Sequence, residues 1–249
     1  MKTYFYLTHL FNTLGAAFLA LIDPDKCDKV ETQVKYMSTN GVDAILVGGS
    51  TIGSDNFNDF MKRVKSVSTV PVIIFPSSAM QVSAHADAIL FLSLISGNNP
   101  QYLISEHIRA SPMIKNMGLE TIPTGYLLIE SGNITSVAFM SHTMPIPRDK
   151  IDIAKYNALA GEYLGMKFIY LEAGSGAKHS VPTEMIKAIN KYISIPIIVG
   201  GGIRTPDDAH SKVEAGAKII VIGNVLQKKV ELTKEFANAI HIVGKVSKP

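Results

Sequence analysis

The chain has 249 residues, of which 47% are hydrophobic and 18% charged, with a formal net charge of +3 at pH 7. That length matches the roughly 250 residues of one (β/α)8 barrel and predicts a single domain over residues 1–249. The small, dispersed charge excludes a nucleic-acid partner and suits an anionic small substrate, while the lone Cys27 excludes an intramolecular disulfide and a thiolate zinc site.

At the start, Lys2 and the aromatics behind it do not make a cleavable leader, because His9 and Asn12 interrupt the apolar stretch and no small-residue cleavage site follows. No apolar run approaches the roughly 18 residues of a membrane span, so a cytoplasmic protein in a reducing compartment is expected. Tyr4, Leu7, Phe11 and Leu14 recur at helical spacing and predict an amphipathic helix over about 2–13 that caps the barrel floor. Residues 17–22 read as the first strand, ending in Asp23, with Pro24, Asp25 and Lys26 beyond it. An acid at the C-terminal end of a barrel strand reads as functional, which makes Asp23 a candidate. Asp25 and Asp28 suit the start of the next helix, whose inner face carries Val30, Val34 and Met37.

Strand two, 44–47, runs into Gly48, Gly49 and Ser50. GGSTIG is not a dinucleotide fingerprint, since Ser50 occupies a required glycine position and no acid follows at the proper distance. Ser50 either caps a turn or points its hydroxyl toward a metal or phosphate. Phe57, Phe60, Met61 and Val64 form the inner face of the second helix. Between strand three (72–75) and strand four (88–92), the ten residues 77–86 are barely enough for a crossover, so the third helix is short or missing. The flank left bare is apolar and suits an interface or a groove for a greasy ligand.

Asn98, Asn99 and Pro100 start a fourth helix toward Met117, with Tyr102 near its exposed beginning. Strand five lies within 119–141, where Ser131, Gly132 and Asn133 are expected to turn between two extended runs, and Tyr126 lies in this stretch. Ile151, Ala154, Leu159 and Tyr163 mark a fifth helix closed by Gly165. Strand six, 168–171, leads into YLEAGSGAKH, where Tyr170 and Glu172 alternate around Leu171 and share the side facing the barrel mouth. Gly174, Ser175 and Gly176 then form an anion-friendly turn. A glutamate at a strand end beside such a turn suits catalysis or substrate binding, the other reading being a buried salt bridge. Lys178 and His179 read as solvated lid residues, and Pro182 opens the sixth helix.

Residues 197–199 and 219–222 repeat one device: an apolar strand, glycines at its end, then a helix start. Gly200, Gly201 and Gly202 precede Thr205, which caps a helix with Pro206 at its first position and Asp207 and Asp208 in its first turn. Gly223 and Asn224 precede Val225, which opens a last helix ending near Ile242. Phosphate held by the loops after strands seven and eight is a recurrent feature of (β/α)8 barrels.

In order, LIDPDK at Asp23, ILVGGS at Ser50, GYLLIE at Tyr126, YLEAGSGA at Glu172, VGGGIR at Gly201 and IGN at Asn224 resemble the signature blocks of the geranylgeranylglyceryl phosphate synthase family, the PcrB-like barrels. The resemblance covers essentially the whole chain, and AKYNALAGEYLGMKFIYLEAGSG resembles the family's second group. YLEAGSGA is the most specific block, because GGGIR also occurs in unrelated phosphate-binding barrels. FPSS and Tyr102 depart from the FPG and Trp of many relatives, at positions that bear on prenyl chain length and assembly.

The resemblance implies an α/β fold, a (β/α)8 TIM barrel of the phosphate-binding type, and a prenyltransferase. The reaction it implies joins geranylgeranyl diphosphate to the C3 hydroxyl of sn-glycerol 1-phosphate. It further implies that Asp23 and Ser50 bind Mg2+, with Lys26 assisting. Tyr170, Leu171, Glu172, Ala173, Gly174, Ser175 and Gly176, with Gly201, Gly202, Gly223 and Asn224, would bind sn-glycerol 1-phosphate. Glu172 would accept the hydroxyl proton or orient the hydroxyl, and Tyr126 and Tyr170 would face the allylic carbon or simply pack. The prenyl tail is expected to run from Asp23 past Phe75 to Ala79 and along Phe91. Expected partners are sn-glycerol 1-phosphate and a long-chain prenyl diphosphate, with peripheral contact with membrane lipid and assembly as a homo-oligomer, a dimer or hexamer. Alternatives are a longer, heptaprenyl donor, a non-catalytic prenyl-phosphate binding barrel, and a sugar-phosphate isomerase or lyase, which would need an acid–base pair and no apolar groove.

Overall fold

The computed structural model describes residues 2–27, 29–49 and 56–241, and its eight parallel strands close into a barrel in sequential order. They are β1 (Ala17–Ile22), β2 (Ala44–Val47), β3 (Val72–Ile74), β4 (Ala88–Ser93), β5 (Glu120–Leu128), β6 (Phe168–Glu172), β7 (Ile197–Gly200) and β8 (Ile219–Ile222). Closure comes from β1 against β8, with Ala17 opposite Ile219 and Ala20 opposite Ile222. The fold is a (β/α)8 TIM barrel. Successive residues of each strand point to opposite sides, so Leu19, Leu46, Ile73, Leu90 and Tyr170 fill the interior while Phe18, Ile45, Ile74, Ile89 and Leu171 meet the surrounding helices. Both sides are dry, which is why the strands read as unbroken apolar runs.

The first helix, α1 (Thr3–Leu14), closes the floor as expected, with Leu7 and Leu10 packed against the interior residues. Its N-terminus is held by Glu120 at the start of β5, whose carboxylate accepts from the Thr3 amide at 2.6 Å and the Tyr4 amide at 3.2 Å. A negative charge at that end favours the helix dipole. Helices α2 (Val30–Thr39) and α3 (Phe57–Val67) bury the faces that their sequences mark. No helix forms over 75–87, all of which are described, so the crossover from β3 to β4 leaves the barrel flank uncovered.

Three elements differ from expectation. The fourth helix, α4 (Glu106–Met117), is preceded by a wider π turn at Gln101–Ser105 rather than continuing regularly from Asn98. The second extended run expected after Ser131, Gly132 and Asn133 is instead the short helix α5 (Ser136–Ser141). In a closed barrel β5 is already paired with β4 and β6, so no sheet edge remains for another strand. After α6 (Ile151–Tyr163), α7 (Thr183–Asn190) and α8 (Pro206–Glu214), the last helix is split in two. A short α9 (Asn224–Lys228) lies at the barrel mouth, and a break at Lys229 (φ −140°, ψ 73°) redirects the chain into α10 (Thr233–Ile240), which packs on β1 through Phe236 and Phe18.

Candidate active site

The C-terminal ends of the strands enclose a cavity of about 390 Å³. Glu172, the last residue of β6, points into it and is only 5% exposed. Its Oε1 accepts a hydrogen bond from the Gly174 amide at 2.6 Å. Burial raises the Glu172 pKa to about 7, against the opposing pull of the Gly174 amide and the Tyr170 hydroxyl. A carboxyl poised near neutrality can exchange a proton at physiological pH. The glycines around it are required by space as well as by backbone. Gly201 has φ +79°, and a Cβ there would overlap Glu172 Oε1 and lie 2.6 Å from the Gly174 amide nitrogen. A Cβ on Gly200 would overlap the Tyr170 hydroxyl.

Beneath the carboxylate, Phe75, Tyr126 and Tyr170 bring three rings together, with centroids 5.3 to 6.2 Å apart. Burial, followed by the Glu172 charge, holds both phenols well above the ordinary tyrosine range, so they stay protonated. The Tyr170 hydroxyl forms no fully aligned hydrogen bond among the described residues. Its influence on Glu172 is therefore that of a nearby dipole.

On one side of Glu172 lie the glycine-rich turns. Gly174, Ser175 and Gly176 after β6, Gly201 and Gly202 after β7, and Gly223 and Asn224 after β8 all line the cavity. Asn224 Nδ2 reaches Ser175 Oγ at 3.3 Å, tying the first turn to the third. Small residues with accessible amides beside the start of a short extra helix suit a phosphate group. Behind them, Arg204 holds the lid loop by donating to the carbonyls of Ala177 at 2.6 Å and Lys178 at 3.0 Å.

On the other side the cavity opens into an apolar groove. Gly49, Phe75, Tyr126 and Val137 line both spaces and mark the junction. The groove descends the flank that lacks a third helix, between Ile89 and Phe91 of β4, the crossover residues Ala79 and Val82, and Ala110 and Ile114 of α4. Glu106 fastens its rim by accepting from the Ala79 amide and the Gln101 side chain.

A sequence model of the PcrB family matches residues 12–240. The chain belongs to the PcrB family. It is 45% identical over 235 residues to the geranylgeranylglyceryl phosphate synthase of Chitinophaga pinensis, covering 93% of each chain. With the synthase of Metallosphaera sedula the identity is 40% over 248 residues, 98% of each. Among solved structures, the (S)-3-O-geranylgeranylglyceryl phosphate synthase of Thermoplasma acidophilum, in complex with its substrate sn-glycerol-1-phosphate, superposes with a TM-score of 0.92 at 32% identity. That match covers 98% of this chain and 100% of the other. A thiamine phosphate pyrophosphorylase from Pyrococcus furiosus, 15% identical with a TM-score of 0.61, shares the fold.

Within this PcrB-family barrel, Tyr126, Tyr170, Glu172 and the three glycine turns come together around one cavity, whereas Leu171 and Ala173 are fully buried and support it from behind. Asp23 lines the same cavity from the end of β1. Its Oδ1 accepts from the Asp25 amide at 3.2 Å and its Oδ2 pairs with Lys26 Nζ at 2.5 Å. Gly49 makes room for that carboxylate, since a Cβ there would lie 2.7 Å from Asp23 Oδ1. Ser50 and Asp28 lie outside the described residues. Among the described residues, no group of three or more His, Cys, Asp or Glu side chains could hold a metal by itself. Lys178 and His179 are exposed lid residues as expected. Sequence reasoning missed Val137, because it expected α5 to be extended, and missed Arg204, although its place directly after GGGI was a usable signal.

Proposed function

We propose that this chain transfers a geranylgeranyl group from its diphosphate to the C3 hydroxyl of sn-glycerol 1-phosphate, giving geranylgeranylglyceryl phosphate and diphosphate. The observation that carries the reading is the position of Glu172. This buried carboxylate stands at the meeting point of a phosphate cradle and an apolar groove, the two chemistries the substrates bring.

The glycine turns bind the phosphate of sn-glycerol 1-phosphate and present its free hydroxyl to Glu172. The hydroxyl oxygen bonds to the allylic C1 of the donor, the C1–O bond to diphosphate breaks, and the hydroxyl proton passes to the Glu172 carboxylate. At the junction, the faces of Phe75, Tyr126 and Tyr170 surround a carbon that becomes electron-poor as the bond loosens, and they keep water from it. Asp23 supplies the hard oxygen that suits Mg2+, an ion that takes few protein ligands and retains waters and substrate phosphates. Bound there, with Ser50 as the second ligand, Mg2+ would neutralise charge on the departing diphosphate. Lys26, paired with Asp23, would then be free to turn to the diphosphate.

The apolar groove favours this reading over a sugar-phosphate isomerase, which has no use for one. A cytoplasmic setting, homo-oligomeric assembly and peripheral contact with membrane lipid belong to the same reading. No helix among the described residues is long and apolar enough to cross a membrane. Ile134 and Met144 are each more than 80% exposed, on the loops flanking α5 beside the groove rim. The test is to incubate purified protein with sn-glycerol 1-phosphate, Mg2+ and prenyl diphosphates from ten to thirty-five carbons, then extract and weigh the products. The expected product is geranylgeranylglyceryl phosphate; no ether lipid from any donor would overturn the reading.

A further inference from the structure

The short helix α9 runs along the mouth between the two substrate sites. At its start Asn224 reaches Ser175 in the cradle. At its other end the Gln227 side chain donates to the Asp23 carbonyl at 3.3 Å, while the Gln227 carbonyl accepts from Gln33 of α2 at 3.1 Å. Lys228 follows directly, is exposed, and lines the same cavity. At about 1.5 Å per residue it stands roughly 6 Å along the helix from Asn224, at the end tied to Asp23. Among the described residues only two lysines or arginines line this cavity, and the other, Arg204, has its guanidinium on the carbonyls of Ala177 and Lys178. Lys228 makes no hydrogen bond or ion pair among the described residues.

The charges at this end of the cavity do not balance without it. A prenyl diphosphate brings about three negative charges near neutral pH, and Asp23 adds one. Mg2+ at Asp23 would offset two of them, and Lys26, already 2.5 Å from Asp23 Oδ2, a third. One negative charge is left, and the flexible stem of Lys228 can bring to it an ammonium with three donors. Resting on the prenyl-donor reading above, we infer that Lys228 binds the diphosphate of the donor. Gln33 and Gln227 hold α9 so that the lysine stands beside Asp23 rather than over the cradle, and the phosphate of sn-glycerol 1-phosphate relies on the glycine turns instead. The contact is to the group that every donor shares, so it fixes the head of the donor and leaves the length of the tail unread.

The experiment measures binding without turnover, by calorimetry in Mg2+ with one ligand at a time: inorganic diphosphate, geranylgeranyl diphosphate or sn-glycerol 1-phosphate. Lys228→Gln should weaken inorganic diphosphate and the prenyl donor by about ten-fold each, the worth of one hydrogen bond to a charged group, and leave sn-glycerol 1-phosphate within about two-fold. Lys228→Arg should keep both affinities, and Lys228→Glu should lose more than Lys228→Gln. In turnover, Lys228→Gln should raise KM for ten- and twenty-carbon donors by the same factor, and added salt should shrink its difference from the unaltered protein. Lys229→Gln removes a neighbouring exposed charge that does not line the cavity and should change none of these. Unchanged diphosphate binding in Lys228→Gln, an equal loss for sn-glycerol 1-phosphate, or an equal loss in Lys229→Gln would overturn the inference. Absence of binding and turnover with every prenyl diphosphate in the unaltered protein would instead overturn the prenyl reading, so the two failures are distinguishable.

Discussion

Replacing Glu172 with glutamine should stabilise the protein while disabling it, and the size of the gain follows from the burial of the carboxyl. Its pKa in the fold is about 7 against an ordinary 4.5, so the folded chain holds the proton more tightly than the unfolded chain does. A group raised in this way contributes its stability below pH 4.5, and loses it as pH rises through about 7. The shift corresponds to about 3 kcal/mol of destabilisation by the ionised carboxylate at pH 8.5. Glutamine carries no charge, and its carbonyl can still accept from the Gly174 amide. Glu172→Gln should therefore be more stable than the unaltered protein by about 3 kcal/mol at pH 8.5, or roughly 6–12 °C in Tm for a chain of this size. The two should converge below pH 4.5. Turnover should fall by a factor of about 10² to 10⁴, the usual worth of a positioned acid–base group. Thermal unfolding of both proteins across pH 4 to 9, in the absence of substrates, measures the difference directly. A stability difference that is the same at pH 4.5 and 8.5 would refute the assignment of a buried, proton-holding carboxyl.

Asp23→Asn should reduce turnover by at least about 100-fold with the fold intact by circular dichroism, because a neutral amide binds Mg2+ poorly; full activity in that variant, or in excess chelator, would count against a metal at Asp23. Gly201→Ala forces a side chain into the left-handed region and against Glu172, so KM for sn-glycerol 1-phosphate should rise by roughly ten-fold or more, and a larger effect on the prenyl donor would misplace the cradle. Ala110→Phe fills the groove below His107, so the twenty-carbon donor should lose at least about ten-fold in specificity constant while the ten-carbon donor loses less; equal losses would show that the tail runs elsewhere.

Much of this protein is written in local pattern. The runs at 44–47, 197–199 and 219–222 could be read as strands because a parallel strand buried on both faces needs apolar residues throughout, whatever its neighbours. Tyr170 and Glu172 could be placed on one side of β6 by the two-residue period alone, and Thr205, Pro206, Asp207 and Asp208 mark a helix start by their own chemistry. The short crossover after β3 likewise foretold a bare apolar flank. Tertiary structure decided what depends on residues far apart in the chain. Residues 136–141 become α5 because barrel closure leaves no edge to pair with, a fact about β4 and β6 that no local window contains. The pKa of Glu172 is set by the dry surroundings that several strands build around it, not by its place in YLEAGSGA. Only the packing of α4 against β4 turns the bare flank into a groove and sets His107 edge-on against Phe91, because periodicity says which side of a helix is buried and not what it is buried against.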